Sequence, residues 1–427
     1  MPAALTESRR VRLAALVVLY VGQGLPQGLL VVALPAYLAE RGASAAAIGA
    51  YLGAVLLPFA LKAFVGPVMD RFTFLPMGRR RPWVLAGGLG VVAGFLAMAG
   101  VPDALAHMAW LTAAGVLVNA SVAVQDTAVD GLAVDVVPLE EQSRANALMW
   151  GGAVLGVAVA AIGTGRLLDA GGVTLAAGTL AALLGALWGV PALLLERPGE
   201  RRMPWSLGHA ATATLQMQPE GWQAIARRLG TAMRLPSSLA LAAAGGCAGA
   251  LDGLVIAWMP VLAVGELGWT DTGYSSMVGV AQVAAGVVGM ILGAVLIERV
   301  GRVRMLVRMA GTVALVLAAM AASPSLWPAK AVVVAFALGY LTSFVLLTIT
   351  LLATGMALCS RAVAATQFAL FTAAMNVGRS SGSGLLGPLD RVLGPSALFG
   401  VAAALAVVVA VVASRIDLEA HRQRLGL

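Results

Sequence analysis

Two carboxylates four residues apart, Asp126 and Asp130, stand inside an apolar run from about residue 107 to 136. A run of ~20 apolar residues crosses a bilayer as a helix, and a charge near its centre costs on the order of 3 kcal/mol. The spacing puts both acids on one helix face, and Gln125 and Asn119 add polar groups to the same helix. Membrane helices keep such groups where they line a cavity, carry protons or form a buried ion pair. Lys62 is the natural basic partner. It lies eight residues before Asp70, as Asp130 lies eight before Pro138. At 1.5 Å per residue, Lys62 and Asp130 sit ~12 Å from the same end of their helices. Protonating one acid would release the lysine to another partner, which is the elementary step of proton coupling. The competing reading is a permanent salt bridge that only stabilises the helix bundle.

In the second half, Asp252 falls mid-span, with Gly245, Gly249 and Gly253 at four-residue spacing on its helix. That stripe is a close-packing surface. Arg379 lies among small residues, Gly378, Ser380, Gly382 and Ser383, which would leave room for a ligand head group. Its planar fork suits a carboxylate or phosphate on a substrate; the alternative is a bond to Asp252. Gln125, Asn119, Asp252, Arg379, Gln367 and Tyr340 are thus the candidate substrate contacts. Gly378-Arg379-Ser380-Ser381-Gly382 also fits the hydrolase pattern Gly-x-Ser-x-Gly. That pattern needs a strand-turn-helix elbow and a catalytic histidine, and an apolar helix supplies neither. There is no phosphate-binding loop and no cysteine or histidine spacing for a metal, so no cofactor and no metal are expected.

These residues must be held by membrane helices. The chain is 60% hydrophobic and 11% charged, which fixes the class as a polytopic membrane protein. About twelve spans can be counted, near 12–38, 45–69, 83–101, 107–136, 143–168, 173–195, 238–264, 272–297, 303–322, 329–358, 363–387 and 394–414. With the N-terminus inside, the external segments hold only Arg41, Arg166, Lys330 and Arg391, and the other loop arginines fall inside. This positive-inside asymmetry predicts both termini in the cytoplasm. It also accounts for the net charge of +8 without nucleic acid as a partner. The one long polar break, 196–236, divides the chain into a six-helix bundle over 1–195 and a second over 237–427. Residues 221–233 within it could lie as an amphipathic helix on the inner leaflet, or the break could be a plain tether.

The two halves echo each other. Asp70-Arg71 is followed by Gly78-Arg79-Arg80-Arg81, and Glu298-Arg299 by Gly301-Arg302, each after the second span of its half. The first of these loops resembles the signature motif of major facilitator transporters. Asp135, Glu141 and Arg144 resemble the charged cluster that pairs with it. The resemblance implies a latch of Asp70, Arg71, Arg79, Arg80, Arg81, Asp135, Glu141 and Arg144 that gates the cytoplasmic side. Two parallel six-span repeats, giving an all-α membrane protein of twelve transmembrane helices in two six-helix bundles, describe that fold.

Leu61-Lys62, Pro67 to Arg71, Gly78 to Trp83, Gln125 to Gly131, and Thr366 to Leu370 with Val377-Gly378-Arg379 resemble one branch of that superfamily. This is the peptide–acetyl-coenzyme A transporter group, which includes the AmpG-type muropeptide permeases. The resemblance implies a proton-driven inner-membrane importer in which Lys62, Gln125, Asp126, Asp130 and Arg379 occupy functional positions. The expected function is import of a bulky anionic solute with protons, anhydromuropeptides for cell-wall recycling first among them. A siderophore or other peptide-like compound is the alternative, and a membrane enzyme or lipid-handling scaffold the reading from another class. The expected partners are the small-molecule substrate, protons and the lipid bilayer, with the chain a monomer.

Overall fold

The computed structural model describes residues 4–72, 74–138, 141–216, 222–359 and 364–425. Helices account for nearly all of them. In chain order they are α1 (Arg9–Gln27), α2 (Leu34–Glu40), α3 (Ala45–Ala60), α4 (Lys62–Arg71), α5 (Arg81–Ala99), α6 (Met108–Val136), α7 (Gln142–Leu193), α8 (Thr212–Gln216) and α9 (Trp222–Met233). There follow α10 (Pro236–Pro260), α11 (Asp271–Val300), α12 (Arg302–Ala322), α13 (Lys330–Leu358), α14 (Ala364–Gly384), α15 (Leu386–Asp390), α16 (Pro395–Ala413) and α17 (Leu418–Leu425).

Nine helical stretches among the described residues are long and apolar enough to cross a membrane. One of them is two spans in a row. The helix α7 bends where Gly171 and Gly172 leave helical geometry, Gly172 at φ 65°, a backbone state that glycine adopts without cost. The shorter apolar helix α3 and the more polar α14 are the remaining spans, consistent with the expected twelve. The second span is broken. Pro58 sits in the last turn of α3, Leu61 leaves the helix, and Lys62 opens α4; a proline removes one ladder hydrogen bond and crowds the turn before it.

The first helix of each half carries the same irregularity. Pro26 ends α1 just before a π-helical turn, Gly28–Ala33, and Pro260 ends α10 just before another, Val261–Glu266. Each missing N–H loosens the ladder, and a wider turn absorbs the slack.

The chain divides into two compact units, Met1–Leu30 with Phe64–Glu220 and Val31–Ala63 with Gly221–Leu427. In unit 1, α1 packs on α7 and α5 on α6. A side chain at Gly24 would overlap the Ala153 carbonyl, and one at Gly156 the Val21 carbonyl. In unit 2, α10 packs on α14 in the same way. Side chains at Gly249 and Gly253 would strike the carbonyls of Met375 and Arg379, and side chains at Gly378 and Gly382 those of Gly246 and Ala250. Without a hydrophobic drive between helices in lipid, backbone contact of this kind supplies the packing energy. The same unit holds α3 against α14: Ser380 Oγ donates to the Gly53 carbonyl at 2.5 Å and Asn376 Nδ2 to the Phe59 carbonyl at 3.4 Å.

Candidate functional site

In unit 1 the polar groups gather along the seam of α1 and α6. The Tyr20 hydroxyl donates to Asp130 Oδ1, and Asp126 lies within electrostatic reach of the same hydroxyl. Two turns further along α1, Gln27 Nε2 donates to Asn119 Oδ1 at 2.8 Å, with Asn119 fully buried. The spacing explains the match. Tyr20 and Gln27 are two helical turns apart on α1, and Asn119 and Asp130 are three turns apart on α6, so each helix presents one polar stripe. Between them Gln23 is buried, and its Nε2 has no hydrogen-bond partner among the described residues. The two glutamines of α1 carried no signal in the sequence, because a glutamine in an apolar run looks alike on every face. Gln125 stands apart from this stripe. It packs on Gly87 and Gly88 of α5, near Trp188. Lys62 belongs to unit 2 and the two aspartates to unit 1.

In unit 2 the three central candidates meet. Arg379 Nε donates to Asp252 Oδ2 at 2.6 Å and its Nη2 reaches the same oxygen. Tyr340 donates to Asp252 Oδ1 at 2.9 Å. Asp252 is 2% exposed, while 37% of the Arg379 side chain is open. The bond to Asp252, weighed above against substrate contact, is therefore present. The small neighbours of Arg379 serve helix packing. Gly378 and Gly382 lie against the α10 backbone, Ser380 donates to Gly53 and Ser383 Oγ donates to the Gly253 carbonyl at 2.8 Å. Gln367 is not in this cluster. It is ~18 Å along α14 from Arg379, and its Nε2 donates to the Leu358 carbonyl at 3.2 Å. The serine of the hydrolase-like pattern lies inside the continuous helix α14.

The arginine loop of unit 1 sorts its charges. Arg80 Nε sits 3.2 Å from Asp135, and Arg79 Nη1 lies 3.8 Å from it. The Arg81 guanidinium donates to the carbonyls of Pro191, Ala192, Arg201 and Arg202, so it clamps the end of α7. Glu141 pairs with Arg9 at 3.2 Å and Arg12 at 2.8 Å. The side chains of Asp70, Arg71 and Arg144 lie outside the described residues. Glu196 was missed in the sequence. Its carboxylate takes the backbone N–H groups of Arg79, Arg80 and Arg81 at 2.9, 2.7 and 2.5 Å. The signal was indirect: α5 begins Arg81-Pro82 with no side-chain cap of its own, and a bare helix N-terminus attracts an anion.

Two units of membrane-spanning helices, one with Asp252 buried at mid-span and the other with Asp126 and Asp130 half-buried there, define a polytopic transporter. The family model of the Major Facilitator Superfamily matches residues 16–383, and the chain belongs to that superfamily. The anhydromuropeptide permease of Escherichia coli K12 is 31% identical over 148 residues, 35% of this chain and 30% of that permease. The Escherichia coli O157:H7 permease of the same name matches with the same figures. The match thus spans about a third of the length of these curated relatives. The crystal structure of a point mutant of the nucleoside transporter NupG superposes with a TM-score of 0.67, covering 95% of this chain and 99% of that one at 14% identity. At that identity the likeness is one of fold.

Proposed function

We propose that this transporter is a proton symporter that imports a bulky anionic solute across the inner membrane, and that the solute is an anhydromuropeptide. The observation that carries the coupling is the α1–α6 seam, where a phenol hydroxyl already donates to Asp130 and Asp126 lies close by. A carboxylate hydrogen-bonded inside a membrane span changes partners when it takes a proton. The Arg379–Asp252 pair is the cationic counterpart in the other unit, with a third of the guanidinium side chain free for an anionic substrate. The substrate class rests on the local likeness to the muropeptide permeases together with the fixed cation.

The reading includes two bundles, 1–195 and 237–427, joined by a linker over 196–236, with both termini in the cytoplasm. Labelled anhydromuropeptide offered to right-side-out vesicles tests it. An imposed inward proton gradient should drive accumulation that an uncoupler abolishes. Uptake no greater than in vesicles lacking the protein would refute the substrate. Uptake indifferent to the gradient would refute the coupling.

A further inference from the structure

The segment after α7 is folded onto the arginine-rich end of unit 1. Arg201 N–H donates to the Pro76 carbonyl at 2.7 Å, its Nε to the Gly208 carbonyl at 2.9 Å, and His209 N–H to the Gly199 carbonyl at 3.0 Å. Inside this fold two acids are buried together, Glu196 at 2% and Glu200 at 4% exposure. They are served unequally. Glu196 holds three backbone N–H groups at the start of α5, the best place in this loop for a negative charge. Among the described residues Glu200 has the Arg197 N–H at 3.0 Å and the Thr214 hydroxyl at 3.3 Å. Burial raises both acids, but three N–H groups oppose it at Glu196 and a neutral carboxyl keeps both contacts of Glu200, so Glu200 is the member of the pair that takes the proton.

The charged groups around it are few. Glu196, Arg197 and Arg202 share its segment, Arg81 stands at the start of α5, and Asp135 acts on Glu196 from the end of α6. The helix α8, which supplies Thr214, has no charged residue. Burial first, then the charge of Glu196, pushes Glu200 up from 4.5 to about 7, against the opposing pull of Arg197.

We propose that Glu200 is a pH sensor: when protonated it lets residues 196–216 close over the arginine cluster of unit 1, and when ionised it loosens them. The sign follows from linkage. The free carboxyl titrates near 4.5 and the docked one near 7. Docking is therefore strongest at low pH, weakens as pH rises through this window, and levels off above it. The closed-to-open ratio should fall on the order of tenfold between pH 5.5 and 7.5. Because the same segment carries the Arg81 clamp and the Glu196 cap, acidification tightens that end of the unit. This device stands whether or not the solute is a muropeptide.

Hydrogen exchange of the full chain in nanodiscs, corrected for intrinsic rates, tests it at pH 5.5, 6.5 and 7.5. Amide protection over 196–216 should fall roughly tenfold across that range in the wild type. Glu200→Gln should stay protected and flat, whereas His209→Gln, which removes the histidine of the segment, should keep the wild-type slope. A flat wild-type profile overturns the proposal without recourse to any variant. So does a slope that survives Glu200→Gln or vanishes with His209→Gln.

Discussion

Arg379 shows how one residue can carry two readings that only geometry separates. Its guanidinium is bound to Asp252 by two nitrogens, yet over a third of its side chain is open. Replacing it with lysine keeps the charge and loses the fork. Arg379→Lys should weaken binding of an anionic solute while the protein stays folded. Asp252→Asn leaves the arginine without its counter-charge and Tyr340 with a poorer acceptor. Breaking a fully buried pair costs roughly 3–5 kcal/mol, and the open guanidinium puts this one at or below the low end. If both variants lose only thermal stability, with affinity per folded molecule unchanged, Arg379 is structural. The aspartates of α6 are tested in the same way. Asp130→Asn and Asp126→Asn should each cut gradient-driven uptake at least tenfold with exchange of preloaded solute retained. Tyr20→Phe, which removes only the donor to Asp130, should shift the pH profile of uptake. Undiminished gradient-driven uptake in both asparagine variants would remove the coupling role.

At the scale of elements, small residues proved to be the packing code. The Gly245–Gly253 stripe was legible as a close-contact face, and the structure seats α14 on it. What the sequence did not show is that Gly378 and Gly382 answer it from the other helix. Spacing shows that a face is small but not which helix or ligand fills the space. The tail helix α17 is a second case, since eight polar-rich residues gave no hint of docking. His421 is 2% exposed, with Nε2 2.9 Å from the Leu358 carbonyl and no partner for Nδ1 among the described residues. Burial lowers its pKa, with Arg424 pressing the same way. A docked histidine that resists its proton holds fully above the free imidazole value of ~6.5 and is lost as pH falls below it. In a Cys247→Ala background, maleimide should therefore reach Cys359, beside Leu358, several-fold faster at pH 5.5 than in the His421→Gln variant at the same pH. Equal rates at pH 5.5 would mean that the tail does not sense protonation.

Across the whole molecule, the apolar runs located nearly every span, because ~20 residues without charge have no alternative to crossing the bilayer. The miss was local: Lys62 opens a new helix where the run looked continuous. The break expected between 168 and 173 falls where Gly171 and Gly172 leave helical geometry. That residues 31–63 join the second unit was not legible, because it depends on contacts made hundreds of residues away, such as Ser380 with Gly53. Orientation is the one global property that arginine placement alone addresses. Its physical basis is the cost of moving cationic loops across the membrane during insertion. The asymmetry here is heavy, with only Arg41, Arg166, Lys330 and Arg391 assigned to the outside. The loop before α13 and the loop before α5 should then lie on opposite faces. Single cysteines at Ser325 and Pro76, placed in a cysteine-free chain in intact cells, report this directly. A membrane-impermeant maleimide should label the first at once and the second only after permeabilisation. The reverse pattern would invert the molecule, turning the proposed importer to face the wrong compartment and moving Glu200 out of the cytoplasm, while leaving the fold and both ion pairs untouched.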